Sequence, residues 1–148
     1  MNGIEGELPS AEDLKELFEK TDWEFLDGLV LRKQIEVVKG FKPFMFSRQV
    51  SYREEGGQFL EYFENWQKET FLQVSDNTEK YLTRKVSLEA IAHLAEVECK
   101  RNLANYGKTF DPEKAEDYRR EADYWSRVEE TVLEAIDIKI QRETRVGI

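Results

Sequence analysis

One histidine, His93, supplies all the imidazole chemistry of the 148-residue chain. Helical spacing places it near Glu89 and Glu96, and a histidine with two carboxylates is part of a ligand set for a metal ion. A general base also needs a nucleophile and an orienting partner, and a metal site needs further ligands. The chain offers no second histidine, so the sequence predicts a surface histidine, with neither a metal site nor a cofactor.

The single cysteine, Cys99, falls on the apolar stripe of a predicted helix, together with Ala95 and Leu103. A reactive thiol needs a basic, exposed setting that favours the thiolate. On an apolar stripe we expect Cys99 to pack as a small hydrophobic side chain. One cysteine cannot form an intrachain disulfide, which agrees with a reducing compartment.

Carboxylate pairs at helical spacing, such as Glu61 with Glu64, have the residue types that acid–base catalysis uses. The chain carries 31 acidic residues, so such spacings arise by chance and mostly belong to solvated helix faces. The glycine pair Gly56-Gly57 lacks the Walker and dinucleotide-binding patterns. No Ser/His/Asp set has a recognisable context, and the sequence therefore predicts a protein that is not an enzyme.

The most regular pattern is a long amphipathic helix over residues 111–141. Asp111 and Pro112 form a typical helix start, because aspartate caps free N–H groups and proline at the first position wastes no donor. A stripe with steps of three or four follows, broken only by Glu129; its apolar members are Ala115, Tyr118, Ala122, Trp125, Val132, Ile136 and Ile140. A helix is also predicted over residues 78–106, and the short connection between the two predicts an antiparallel hairpin.

Two shorter helices are predicted near the N-terminus. Residues 1–9 are expected to form a flexible lead, before helices over residues 11–20 and 23–40. Gly40 is predicted to end the second helix in a left-handed conformation.

The middle of the chain is predicted to be irregular. Residues 49–53 alternate polar and apolar side chains and predict a short strand that ends at residues 54–57. Another helix is predicted from Gln58, and residues 143–148 lose periodicity and predict a tail. The sequence thus predicts one mainly α domain over residues 1–148, a helical bundle with a long C-terminal antiparallel hairpin and an aromatic-rich loop or short β element in the middle.

Nine of the 18 aromatic residues lie between Phe41 and Phe71. One interpretation places these rings in the core. A second places Phe41, Phe44 and Phe46 on a loop as anchors for a protein partner, since interfaces favour aromatic anchors. A ligand pocket is the third.

The net charge of −9 is unevenly distributed. Residues 1–27 hold nine acids and two lysines, a balance of −7, which leaves −2 for the remainder. An acidic surface argues against binding to phosphates, which favours clustered Lys and Arg. It permits a basic protein partner, mimicry of DNA or a wall past which DNA slides, and it also simply promotes solubility. No apolar run approaches the ~20 residues of a membrane span, and the N-terminus does not have the pattern of a signal peptide.

Two segments carry a family resemblance: residues 87–103 (SLEAIAHLAEVECKRNL) and residues 117–128 (DYRREADYWSRV). They resemble the C-terminal half of the head-to-tail adaptor proteins of tailed bacteriophages. In that family an early helix has a Leu-rich entry followed by an acid, matched here by Leu14 to Asp22. A second helix ends near a glycine and an aromatic residue, matched here by Gly40-Phe41. The likeness extends over about two-thirds of the chain, but the segment from Phe41 to Phe71 is longer, and the C-terminal tail shorter, than that pattern implies.

The resemblance implies a non-enzymatic structural protein of the virion neck, a ring of copies that joins the portal to the tail and lets DNA pass. It implies the portal and neighbouring neck or tail proteins as partners, self-association in a ring, and location in the virion after assembly in the host cytoplasm. Sequence-specific binding to nucleic acid and binding to membranes are not expected. The candidate contact residues are Phe41, Phe44, Phe46, Tyr52, Arg145, Val146 and Ile148.

Other functional classes remain open at this point. A small acidic helical protein also suits an inhibitor or regulatory protein that binds a basic host protein in the cytoplasm. A helical subunit of a ribonucleoprotein would need a concentrated basic face, which the sequence does not show.

Overall fold

The computed structural model describes residues 12, 23–46, 50–71, 81–82 and 84–146. Five helices follow one another in these ranges, and they are α1 (Trp23–Gly40), α2 (Pro43–Phe46), α3 (Tyr52–Phe71), α4 (Leu88–Lys108) and α5 (Pro112–Val146). The predicted mainly α fold with a long C-terminal helix is confirmed. The predicted lead over residues 1–9 lies outside the described residues, as does the predicted helix over residues 11–20 apart from Glu12, which is helical.

The hairpin of α4 and α5 forms the main body of the bundle, and the two helices pack along each other. Asp111 begins the second helix as predicted, because its Oδ1 accepts a hydrogen bond from the Glu113 N–H at 3.0 Å. Small and branched side chains fill the contact between the helices, and the buried ones include Ala92, Ala95, Ala122, Val128 and Val132. With 35 residues, α5 is a rod of about 52 Å.

The first helix of the hairpin starts later than the sequence predicts. Residues 81–82 and 84–85 are helical, but the chain bends at Val86 and α4 begins at Leu88. Ser87 has an extended backbone, and its side chain accepts a hydrogen bond from the Ala90 N–H at 3.1 Å. A serine in this position is a preferred N-cap, which explains why one predicted helix is divided here.

Residues 52–57, predicted as the end of a strand and the turn after it, belong to α3 instead. The predicted strand over residues 49–53 and the predicted helix start at Gln58 are both wrong, because α3 already begins at Tyr52. Ser51 accepts a hydrogen bond from the Glu54 N–H at 3.2 Å and so caps the helix. Residues 54–57, which were predicted to end the strand, form the first turns of α3.

The predicted extended tail is also wrong for the residues that the structure describes. Helix α5 continues through Glu143 to Val146, and Thr144 Oγ1 donates a hydrogen bond to the Ile140 carbonyl at 2.8 Å. The helix therefore extends beyond the last residue of the apolar stripe, because exposed polar residues can continue a helix that packing has already nucleated.

Helix α3 packs on α5 and runs in the same direction. Glu55 contacts Arg127 near the middle of α5, and Glu64, further along α3, pairs with Arg142 near the end of α5. Gly56 lies at the closest approach of the two helices: a Cβ atom at this position would lie 2.7 Å from Glu134 Cβ and 3.0 Å from the Ala135 N atom. Glycine is thus required by a contact between backbones.

The end of α1 is held by Tyr62 of α3. Tyr62 donates a hydrogen bond to the Val37 carbonyl at 2.8 Å, one of the last-turn acceptors that a helix leaves without an internal partner. The predicted left-handed conformation of Gly40 is wrong, because this residue lies within α1. A side chain at Gly40 would instead collide with the Tyr62 hydroxyl.

Replacement of Tyr62 by phenylalanine is expected to lower the free energy of unfolding by about 1 kcal/mol, since it removes this one hydrogen bond. Chemical denaturation followed by circular dichroism measures the change. Tyr52→Phe is the matched control, because the Tyr52 side chain is half-exposed at the start of α3. Equal stability of Tyr62→Phe and the control would show that the hydrogen bond from Tyr62 to the Val37 carbonyl does not stabilise the fold.

An aromatic cluster joins α2, α3, α5 and the end of α1. The centroids of the Phe41 and Phe59 rings lie 5.1 Å apart at an interplanar angle of 89°, an edge-to-face geometry that aromatic pairs prefer. Lys39 Nζ lies 4.4 Å from the centroid of the Tyr124 ring. The remaining members of the cluster are Phe44, Tyr62, Phe63, Trp66 and Trp125.

Candidate interaction surface

Phe41 and Phe44 belong to the core. Their side chains are only 6 % and 4 % exposed, and their ring centroids lie 4.7 Å apart in an edge-to-face contact. The structure therefore follows the core interpretation for these two residues, and they are not displayed as anchors on a loop. Phe46 ends α2 and Val146 ends α5, but their side chains, and all of Ile148, lie outside the part of the structure that is described.

Two of the predicted contact residues are exposed, but at different levels of the molecule, because the start of α3 lies beside the middle of α5. Tyr52 is the first residue of α3, and Arg145 lies in the last turn of α5. Next to Tyr52, the Arg53 guanidinium donates to Asp137 Oδ2 at 2.5 Å, to Glu134 Oε2 at 3.1 Å and to Gln141 Oε1 at 2.5 Å. The start of α3 is therefore fixed against the second half of α5.

Exposed apolar side chains also lie on the second half of α5. Leu133 and Ile140 are 46 % and 55 % exposed, and their spacing of seven residues places them on one face of α5, with Asp137 between them. We name Leu133 and Ile140 the end patch. The predicted stripe therefore does not remain buried as far as Ile140, because α4 covers only part of the length of α5.

A second group of exposed apolar side chains lies at the turn of the hairpin. Phe110, in the connection between α4 and α5, is 101 % exposed, and Leu103 and Tyr106 in the last turns of α4 are about half-exposed. We name Leu103, Tyr106 and Phe110 the tip patch. The predicted apolar stripe of this helix, which also includes Tyr106, is therefore not buried as far as Leu103 and Tyr106. The signal for this exposure in the sequence is a phenylalanine in a short polar connection.

Charge differs in sign between the two ends of the hairpin. Residues 100–120 hold six basic and four acidic side chains, a balance of +2, whereas residues 129–143 hold two basic and five acidic ones, a balance of −3. Lys108 and Lys114 are exposed near the tip patch, and Glu130 and Asp137 are exposed near the end patch. The hairpin therefore has a basic apolar end and an acidic apolar end.

The candidate residues for chemistry are dispersed. His93 is exposed on α4, as predicted. Burial raises the pKa of the half-buried Cys99 thiol, and so do the charges of Glu129 and Asp123, which keeps the thiol protonated. Within the described ranges, no group of three or more His, Cys, Asp or Glu side chains is placed to hold a metal ion.

Glu129, which interrupts the apolar stripe, lies where the charged form of its carboxyl is disfavoured. Burial, followed by the charges of Glu96 and Glu130, raises the pKa of its carboxyl above the ordinary value of 4.5. Because the folded-state pKa is raised, the stabilising contribution of the protonated form is fully present below pH 4.5 and is lost as the pH rises through the folded-state pKa.

Glu129→Gln is therefore expected to raise the free energy of unfolding at neutral pH by about 0.5 kcal/mol, and the gain should vanish below pH 4.5. Urea denaturation at a series of pH values measures it. Glu130→Gln is the control, because Glu130 is exposed and its replacement should change the free energy of unfolding less. A gain that grows on acidification would contradict the assignment.

No helix in the described part of the chain has the length and apolar character needed to cross a bilayer. Comparison of the chain with family models, curated proteins and solved structures gave no match. The observations that bear on function are therefore the two apolar patches and the charge that accompanies each of them.

Proposed function

We propose that this protein is a non-enzymatic structural component of a tailed-bacteriophage virion neck, in which several copies form a ring between portal and tail. The observation that carries the proposal is the exposure of apolar side chains at both ends of one long hairpin. A subunit that must contact neighbouring copies and the next ring needs more than one adhesive surface, and apolar patches rimmed by polar residues commonly mark such surfaces.

The ion pairs that hold α3 to α5 support a mechanical function. Arg53 is held by three acceptors on α5, and Arg142 makes a two-pronged pair with Glu64 at 2.9 and 2.6 Å. Bidentate arginine–carboxylate pairs fix geometry more strongly than single contacts do. A partner that binds beside these pairs therefore meets side chains that are already arranged, and less entropy is lost on association.

The acidic balance of the chain supports a function in which DNA passes without adhering. A net charge of −9 repels the phosphate backbone over the distance of a few Debye lengths or less. A ring whose inner wall is acidic would let packaged DNA move through it. The absence of a concentrated basic face in the sequence fits this function better than direct binding to nucleic acid.

The test is association with the portal protein encoded by the same genome. Sedimentation velocity of the two purified proteins, alone and mixed, is expected to show a discrete complex that contains both. Lack of association at any ratio would remove the proposal, because a neck component has to bind its neighbours.

The second candidate function is an inhibitor or regulatory protein that binds a basic host protein. The observation in its favour is the concentration of nine acids in residues 1–27. This function requires tight binding whose affinity falls steeply with salt, and it requires no self-assembly. Indifference to portal, together with salt-sensitive binding of a basic partner, would favour it.

A further inference from the structure

We propose that the tip patch of one copy docks on the end patch of the next copy, so that identical subunits associate tip to end. The inference rests on the proposed function in one respect, that copies of this chain assemble. It adds the two surfaces that meet, Leu103, Tyr106 and Phe110 on one copy and Leu133 and Ile140 on its neighbour.

Charge selects this pairing over the symmetric ones. Two tips brought together would each contribute a balance of +2, and two ends would each contribute −3. Like charges at an interface oppose association, and opposite charges steer it and fix its orientation. A tip with exposed Lys108 and Lys114 is therefore matched by an end with exposed Glu130, whereas Asp137 already pairs with Arg53 of its own copy.

The distance between the patches makes the contact intermolecular. Phe110 and Ile140 are 30 residues apart in the sequence, and the helical part of that separation is about 42 Å of α5. A chain cannot fold its own tip onto its own end along a continuous helix. Each copy thus offers both surfaces to different neighbours.

A contact between two different surfaces of identical subunits repeats. Such a heterologous contact closes into a ring if the rotation per subunit allows it and otherwise extends as a filament. The tip patch contains a tyrosine and a phenylalanine, residue types in which interfaces are enriched. With three apolar side chains on one surface and two on the other, a single contact is weak, and we expect assembly to depend on concentration or on a template such as the portal.

Cross-linking between two single-cysteine variants tests the pairing. In a Cys99→Ala background, Phe110→Cys places a thiol on the tip and Ile140→Cys places one on the end. Each protein is treated with a short bismaleimide alone, and the two are then treated as an equal mixture, with and without portal protein. Circular dichroism and a thermal melt of each variant check that it is folded.

The expected result is a covalent dimer that is several-fold more abundant in the mixture than in either variant alone. Dimers of Phe110→Cys alone would indicate a tip-to-tip contact, and dimers of Ile140→Cys alone an end-to-end contact; either as the main product would overturn the proposal. An assembly of high mass that gives no tip-to-end product would overturn the pairing of the patches but leave the proposed function standing. Tip-to-end product without any binding to portal would support the pairing and remove the neck function.

A substitution supplies a second readout. Phe110→Asp adds a negative charge to the tip patch at a fully exposed position, so the fold is expected to be unaffected and the tip-to-end product to fall several-fold. Val97→Asp is the matched control, because Val97 is exposed on α4 outside both patches. Equal loss of cross-linking in both variants would contradict a specific role of the tip.

Discussion

Replacement of Glu55 by alanine is expected to lower the free energy of unfolding by about 3 to 5 kcal/mol, the range found when one partner of a buried ion pair is removed. Glu55 is 0 % exposed. Its Oε2 accepts from Arg127 Nη2 at 2.9 Å, and its Oε1 accepts from Arg127 Nε at 3.2 Å and from the Thr131 hydroxyl at 2.8 Å. The substitution would leave part of a guanidinium and a buried hydroxyl without these acceptors.

Urea denaturation measures this loss, and two further variants separate its causes. Glu54→Ala is the matched control, since it removes a neighbouring exposed carboxylate and should cost less than about 1 kcal/mol. Glu55→Ala combined with Arg127→Met should be more stable than Glu55→Ala alone, because the uncompensated charge is gone. Equal stability of Glu55→Ala and Glu54→Ala would show that the ion pair does not hold α3 to α5.

Replacement of Gly56 by alanine is expected to destabilise the protein by about 1 to 3 kcal/mol, the usual range for overpacking a filled interior. The added Cβ would lie 3.0 Å from the Ala135 N atom and 2.7 Å from Glu134 Cβ. Backbone atoms cannot rotate away, so α3 and α5 would have to separate, and the aromatic cluster that they share would open.

The adjacent glycine supplies a control with the same chemistry. At Gly57 the added Cβ would meet only Ile138 Cδ1, at 3.8 Å, an ordinary contact. Gly57→Ala is expected to stabilise the protein by about 0.5 to 1 kcal/mol, because alanine favours a helix interior over glycine. Opposite signs for the two substitutions in thermal denaturation are the expected result. A stabilising effect of both would contradict the close approach at Gly56.

The helices of the hairpin could be predicted because local signals agree with their packing. Asp111 and Pro112 start α5, and the buried Ala122, Trp125 and Val132 lie on the predicted stripe. Periodicity in the sequence reports which face of a helix is covered, but not how far the covering helix extends. That is why Ile140, which continues the period, is exposed beyond the reach of α4.

The start of α3 could not be predicted because contacts with α5, which the sequence does not reveal, stabilise its residues in a helix. Glu54-Glu55-Gly56-Gly57 has the composition of a turn, and isolated glycines weaken a helix. In the fold Glu55 faces Arg127 and Thr131, and Gly56 touches the backbone of α5. Tertiary contacts with α5 therefore override the local preference of these residues for a turn.

The candidate surface was predicted only in part. Of the contact residues predicted from the sequence, Tyr52 is exposed, but Phe41 and Phe44 are buried. An aromatic residue that follows a helix can either fill the core or bind a partner, and the sequence does not distinguish the two. Leu133 lies on no predicted stripe, and Phe110 stands alone in a short polar connection, which indicates exposure but does not define a surface. Exposure is a property of the surroundings in space, and it became visible only when the helices were placed together.

The most direct test of the proposed function is molar mass by light scattering over a concentration series, first for the protein alone and then with portal protein. The expected result is a small species at low concentration that becomes a discrete complex with several copies per portal ring. A mass that stays that of one 17.5-kDa chain under every condition, with or without portal, would contradict ring assembly and the neck function.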